Sequence, residues 1–355
     1  MSANHIFIYL NFITILILII VMGGNNYNAD YNSYEQMYYM SKYFQIDDFD
    51  YNAVLWYGYS PDIAYTILNK IFLSINIDYA DYKLITSALL LTVLFIFINR
   101  MPSVGFIVIP LYILYPFVID VIQVRNFFVE VITIVVFYFY YKYKNKSWCI
   151  CLIIFGSMFH SSLLILLPFI IFEKYYRGNI KLVFKILILV GVLVPIYAQQ
   201  IISIRGSFFI PIDFMEHYNG YVNEEINYGY LLMYLYTIIP LAVLLFIKQK
   251  CVLFDNNENE YITSLIAFYK YICCLLPLAI LVTHLSRIPR NMLLLFAVAI
   301  SIYISKITWR KRIVVVLGSL LMFYVFGYLE LYRTDIDYVA MILNNNNILY
   351  YILGQ

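Results

Sequence analysis

The sequence predicts an all-α protein that passes through a membrane about eleven times. Three observations carry that prediction. The 355 residues are 63% hydrophobic and only 12% charged, about half the charge of a soluble domain. Apolar stretches long enough to cross a bilayer, about 17–25 residues, recur along the whole chain. Basic residues concentrate in alternate connections, as they do when those connections lie in the cytoplasm. Such a chain lacks the polar surface of a soluble enzyme or nucleic-acid-binding protein and the composition of a disordered one. The net charge of +2 points to no nucleic acid or other polyanionic partner.

In order, the predicted crossings cover 5–22, 83–99, 103–119, 125–141, 186–198, 229–247, 269–285, 289–305 and 313–329. The first has no Lys or Arg before it and no small-residue cleavage site after it, so it reads as a retained helix. The stretch 148–172 is the awkward one. Lys142, Lys144 and Lys146 precede it, and Lys174, Arg177, Lys181 and Lys185 follow it. One tilted helix is long enough to span it. Two basic clusters on one side nevertheless require an even number of passes. The simplest reading is a broken hairpin turning near His160-Ser161-Ser162, with arms of about 20 Å. Non-helical backbone at that depth is tolerated only against protein or a wet cavity.

This topology makes 1–355 one integral membrane domain with a cytoplasmic N-terminus and a periplasmic C-terminus. Outward lie a first loop, 23–82, a second loop, 199–228, and the tail 330–355. Of the 23 Lys and Arg, the eight placed outward are Lys42, Lys70, Lys83, Arg125, Arg205, Arg287, Arg290 and Arg333. Topology alone is indifferent between Lys and Arg, yet most of these are Arg. Arg is preferred where a planar fork grips phosphate or carboxylate; the alternative is pairing with outward acids. Residues 63–75 read as an amphipathic helix at the interface, with Ile63, Ile67, Leu68 and Ile71 on one side. Tyrosine is abundant throughout and favours membrane interfaces, so its density in 23–82 does not by itself mark a sugar site. The run Asn344 to Asn347 reads as compositional bias. Cys149, Cys151, Cys251, Cys273 and Cys274 read as small apolar residues. The sequence contains no metal-ligand spacing, Walker loop, GxSxG or HExxH and no internal repeat, so no metal or cofactor is expected.

Three constellations carry chemistry. In the first, Asp120-x-x-Gln123-x-Arg125-Asn126-x-x-x-Glu130, Asn126 is placed to cap the helix 125–141, and Gln123, Asn126 and Glu130 share a face. Glu130 is then a carboxyl inside the membrane, a functional candidate or a member of a buried network. The second is His160-Ser161-Ser162 at the hairpin turn. The third is His284-x-x-Arg287-x-Pro289-Arg290-Asn291. Pro289 predicts a helix start, and Arg287 and Arg290 converge there on a helix N-terminus, an arrangement that binds anions. Arginines meeting lipid headgroups are the alternative. A polyprenyl pyrophosphate, with phosphates at the outer surface and its tail among membrane lipids, is the natural ligand.

Asp30 with Tyr31 and Tyr34 after the first helix, Gly58 to Tyr65, Gln123-Val124-Arg125-Asn126, Phe159-His160-Ser161-Ser162-Leu163 and Arg287 to Asn291 resemble the EpsG-like and Wzy-type polysaccharide polymerases. The resemblance covers roughly 25–172 and then rests on 287–291 and the hydropathy layout. It implies transfer of a growing O-antigen, capsule or exopolysaccharide chain from undecaprenyl pyrophosphate to the next lipid-linked repeat unit, at the periplasmic face of the inner membrane. It implies no cofactor and leaves room for a chain-length-regulating partner. Arg287 and Arg290 are then expected to clamp the pyrophosphate with Arg125 assisting, and His160 to act as base or acceptor-positioning group, with Glu130 and Asp62 as lesser candidates. Arg205, His284, Asn126, Tyr31 and Tyr34 join Asp62 as expected substrate-binding residues. Two other classes fit parts of the pattern. A flippase for lipid-linked oligosaccharide would show charges along a central path and two related halves. A membrane acyltransferase would need its histidines on the cytoplasmic side.

Overall fold

Helix α1 (Ala3–Gly23) carries no Asp, Glu, Lys or Arg and packs on α4 (Tyr79–Asn99). Between them lie α2 (Tyr31–Met40), a 3-10 turn (Ser41–Tyr43) and α3 (Ile63–Ser74). The computed structural model describes residues 3–43, 62–102, 105–178, 185, 229–250, 254–277, 287–331 and 337–353. Among these, regular structure is helical throughout; the one β pairing is an isolated antiparallel bridge, Asn25 with Asn346. Five helices are long and apolar enough to cross a membrane: Tyr79–Asn99, Val124–Tyr143, Leu232–Lys250, Arg287–Lys306 and Trp309–Leu331. Shorter apolar helices accompany them. The predicted crossing 186–198 and the loop 199–228 lie outside the described residues.

The α1–α4 contact depends on a glycine. A Cβ on Gly23 would stand 2.8 Å from the Leu84 Cα, so the helices approach as closely as small residues allow. Gly23→Ala is expected to push α1 off α4 and cost about 1–3 kcal/mol. Thermal unfolding of the detergent-solubilised protein checks this; an unchanged midpoint would contradict the packing. The amphipathic helix expected at 63–75 forms as α3. It buries Tyr65, Thr66 and Asn69 and leaves Ile63 and Ile71 exposed.

The crossing predicted at 103–119 is not continuous. Its place is taken by α5 (Val108–Leu114) and α6 (Phe117–Ile122), separated by an extended Tyr115 and Pro116. Proline has no N–H to donate and disfavours helical backbone in the residue before it. Next, α7 (Val124–Tyr143) is buried on nearly every side and contacts α4 and α8 (Lys146–Ser157). Lys144 turns the chain in left-handed backbone, φ 55°, and the Asn145 side chain accepts from the Trp148 N–H at 3.1 Å to start α8.

Residues 148–172 fold back on themselves. After α8 the chain turns at His160, continues as a 3-10 helix (Ser161–Leu166) and α9 (Leu167–Ile171), and ends in α10 (Glu173–Arg177). Lys146 at the start lies 3.1 Å from Glu173 at the end, a return that one tilted helix cannot make. Any side chain on Gly156 would run into Leu163 and Ile132, so the arms close only around a glycine.

The helix expected at 269–285 begins much earlier, as α12 (Asn256–Leu275), after α11 (Gly229–Lys250). Asp255 and Glu258 form a reciprocal capping box that turns a polar stretch into the first helical turns. The start expected at Pro289 is also displaced. Residues Arg287–Arg290 form α13, followed by α14 (Leu293–Lys306), and Pro289 lies within α13. A proline is tolerated through a first turn because those N–H groups have no helical acceptor. Last come α15 (Trp309–Leu331), α16 (Tyr338–Asn344) and α17 (Asn347–Leu353).

The asparagine run read as compositional bias has a structural task at one position. The Asn346 amide donates to the Ile20 and Val21 carbonyls at 3.0 and 3.1 Å and its oxygen accepts from the Leu349 N–H. This ties the C-terminal segment to the end of α1.

Ion pairs define two ends. At one, Lys144 and Arg177 meet Glu260, Lys306 meets Glu258 at 2.7 Å, and Lys146 and Arg177 meet Glu173. Burial alone would raise the Glu173 carboxyl; hydrogen bonds from Lys146 and Tyr140 and the charge of Arg177 outweigh it and hold Glu173 below the usual carboxylate range. At the opposite end gather Asp62, Arg125, Arg290 and Glu330.

Candidate functional site

The site is built where α7 and α13 start side by side. Asn126 does not cap α7. Residue 123 is the cap, and the Asn126 amide instead exchanges hydrogen bonds with Asn291 at 3.0 and 3.3 Å. Both amides are buried, and a reciprocal amide pair satisfies each. The pair joins the two helix starts in a fixed register, so Arg125, Arg287 and Arg290 belong to one neighbourhood.

The three arginines differ in what occupies them. Arg290 is 2% exposed. Its Nη1 donates to Glu330 Oε1 at 2.5 Å and its Nη2 to Gln123 Oε1 at 2.7 Å. The other Glu330 oxygen accepts from the Tyr115 and Tyr236 hydroxyls, which also bond each other at 3.0 Å. The fork expected to clamp a ligand together with Arg287 is therefore filled by protein. Arg125 Nη1 lies 3.1 Å from Asp62 Oδ2, and its guanidinium stands over the Tyr34 ring at 5.7 Å. Arg287 is half-buried, and among the described residues its guanidinium makes no hydrogen bond or ion pair. It lies close enough to Arg125 and Arg290 to be repelled by both, and to Asp30 and Tyr34 to be attracted.

Asp30 stands at the cap position of α2 without capping it. Its backbone is in the helical region, φ −105° and ψ −2°, and the carboxylate accepts from none of the α2 amides. Burial raises this carboxyl above its ordinary value; the charges of Arg287 and Arg125 pull it back only in part. Tyr34 is also raised, chiefly by burial, and stays a phenol.

Glu130 is fully buried one layer deeper. Its carboxyl faces that of Asp120, which accepts from the Tyr112 hydroxyl at 3.0 Å. His160 begins the 3-10 helix, its Nδ1 accepting from the Ser162 N–H at 3.2 Å. Ser162, Thr133, Arg287 and Asn291 border one small cavity, so the hairpin turn forms a wall of the arginine site.

Tyr31 and Tyr34, expected against substrate, are both 7% exposed. Tyr31 packs edge-on to Tyr79 at 5.1 Å, beneath the Lys83 ammonium, which donates to the Asn25 carbonyl at 2.7 Å. These rings shape the floor of the site rather than an open stacking platform. Arg205 and His284 lie outside the described residues.

Sequence reasoning missed Glu330. Its signal was an acid at the end of an apolar helix, a costly residue wherever it lies within a membrane. The predicted crossing stopped at 329, which put Glu330 at the start of the polar tail 330–355. Asp30 was seen only as part of a motif, because nothing local distinguishes it from an ordinary helix cap.

Compared with known protein families, the chain matches the model of the EpsG family over residues 8–352. No curated protein and no solved structure matches it.

Proposed function

Since the chain belongs to the EpsG family, whose members are Wzy-type polymerases, we propose that it extends a polysaccharide by moving a growing glycan from undecaprenyl pyrophosphate to the next lipid-linked repeat unit. The lysine-rich end then faces the cytoplasm, and the arginine site faces the periplasm at the outer surface of the inner membrane. The observation that carries this reading is Arg287, whose guanidinium makes no hydrogen bond or ion pair among the described residues and stands beside two arginines that are already engaged.

The chemistry follows from the leaving group. As the bond from the anomeric carbon to the diphosphate breaks, charge develops on phosphate oxygens. A planar fork fixed in a partly dry site meets that charge without reorganising. Arg287 fills this role, with Arg125 beside it, steered by Asp62. Arg290 acts as a positioning residue: with Gln123 and Glu330 it holds the start of α13 against α7. His160 orders the hairpin turn that walls the site.

Deleting the gene is expected to leave single lipid-linked repeat units in place of a polymer ladder when glycans are separated on a gel. An unchanged ladder would exclude the polymerase. Repeat units trapped on the cytoplasmic side would instead point to a flippase.

A further inference from the structure

Glycosyl transfer to a hydroxyl needs an acceptor for the hydroxyl proton, and most acidic or basic groups at this end of the molecule are committed elsewhere. His160 holds the Ser162 N–H with Nδ1, so in the neutral ring Nε2 carries the proton. Glu130 is sealed in the interior against Asp120. Asp62 is joined to Arg125, and Glu330 to Arg290. Asp78 and Asp337 cap α4 and α16 through their carboxylates.

Asp30 is different. Its carboxylate makes no hydrogen bond or ion pair among the described residues. It is half-buried, hence reachable from water, and its charge partners are Arg287 and Arg125. No ion pair joins it to either, yet it lies near enough to Arg287 for their charges to attract. A diphosphate held on Arg287 would therefore lie beside the Asp30 carboxylate.

We infer that Asp30 is the catalytic base, taking the proton of the acceptor hydroxyl. This rests on the polymerase reading. The hydroxyl oxygen bonds to the anomeric carbon of the growing glycan while the bond from that carbon to the diphosphate oxygen breaks. The electron pair departs with the diphosphate toward Arg287, and the hydroxyl proton passes to the Asp30 carboxylate and then to water. Burial fits the task, because a carboxyl raised above its ordinary value is a stronger base once ionised. The groups facing it are Arg287, Arg125 and Tyr34.

The test uses the full chain with Asp30→Asn and Asp30→Glu. Polymer formation is followed in membrane vesicles that hold the native lipid-linked repeat units. Binding of undecaprenyl pyrophosphate to the purified protein is measured in parallel. Asp30→Asn is expected to bind the probe as the wild type does, to polymerise about 10²–10⁴-fold more slowly, and to lose the fall in rate that the wild type shows as pH drops through the Asp30 pKa. Asp30→Glu is expected to recover part of the rate. Near-normal polymerisation by Asp30→Asn, where gene deletion abolishes polymer, would overturn the inference and leave the polymerase standing. Loss of probe binding in Asp30→Asn would overturn it as well, by making Asp30 a binding residue. A wild type that neither binds the probe nor is needed for polymer would remove the polymerase reading itself.

Discussion

Arg287→Ala is expected to stop polymer growth while leaving a folded protein in the membrane. Removing this side chain breaks no hydrogen bond or ion pair among the described residues, so stability should change by less than about 0.5 kcal/mol, as for substitutions away from buried networks. The loss falls on the transition state. Deleting one pre-aimed donor to a developing anion costs about 10²–10³ in rate. Arg287→Lys should recover only a part, because an ammonium cannot present a planar fork to two phosphate oxygens. Glycan ladders, together with undecaprenyl pyrophosphate binding and a thermal unfolding curve for each variant, check this. Long chains from a well-expressed Arg287→Ala protein would defeat the clamp.

Glu330→Gln is expected to act through the opposite route, on stability first. The change leaves the Arg290 guanidinium buried without its counter-charge, and the single amide oxygen left at 330 cannot serve Arg290 and the Tyr115 and Tyr236 hydroxyls together. Breaking one side of a buried ion pair costs about 3–5 kcal/mol, because a desolvated charge is left behind. The double variant Arg290→Met with Glu330→Leu should regain most of that stability, since two apolar residues of similar volume bury no charge. It should not regain full activity, because the start of α13 would no longer be tied to Gln123 and Arg287 would lose its aim. Thermal unfolding in detergent and the glycan ladder separate the two effects. A Glu330→Gln protein as stable as the wild type would show the pair to be dispensable.

Much of the scaffold is legible in the residues. The apolar stretches at 5–22, 83–99, 125–141, 229–247 and 313–329 correspond to α1, α4, α7, α11 and α15 with ends shifted by a few residues. Hydrophobicity over twenty residues is a summed local property, so one misjudged neighbour changes little. The errors came where a single residue decides. Pro116 split one expected crossing into α5 and α6, and the Asp255–Glu258 box extended α12 into a polar stretch. The hairpin at 148–172 was readable because two basic clusters demanded it, and its glycine at 156 was not, because the need for it comes from Leu163 and Ile132 across the turn.

The sequence by itself determined that this chain is helical and apolar, and it singled out Arg125, Arg287 and Arg290 as candidates for a shared site. Only the tertiary structure decided what each guanidinium meets. Arg290 meets Glu330 from forty positions away, Arg125 meets Asp62 from sixty-three, and Arg287 meets neither. Whether a guanidinium is free depends on which distant carboxylate lies within about 4 Å of it, and that distance is set by how helices pack, a quantity no local pattern of residues contains.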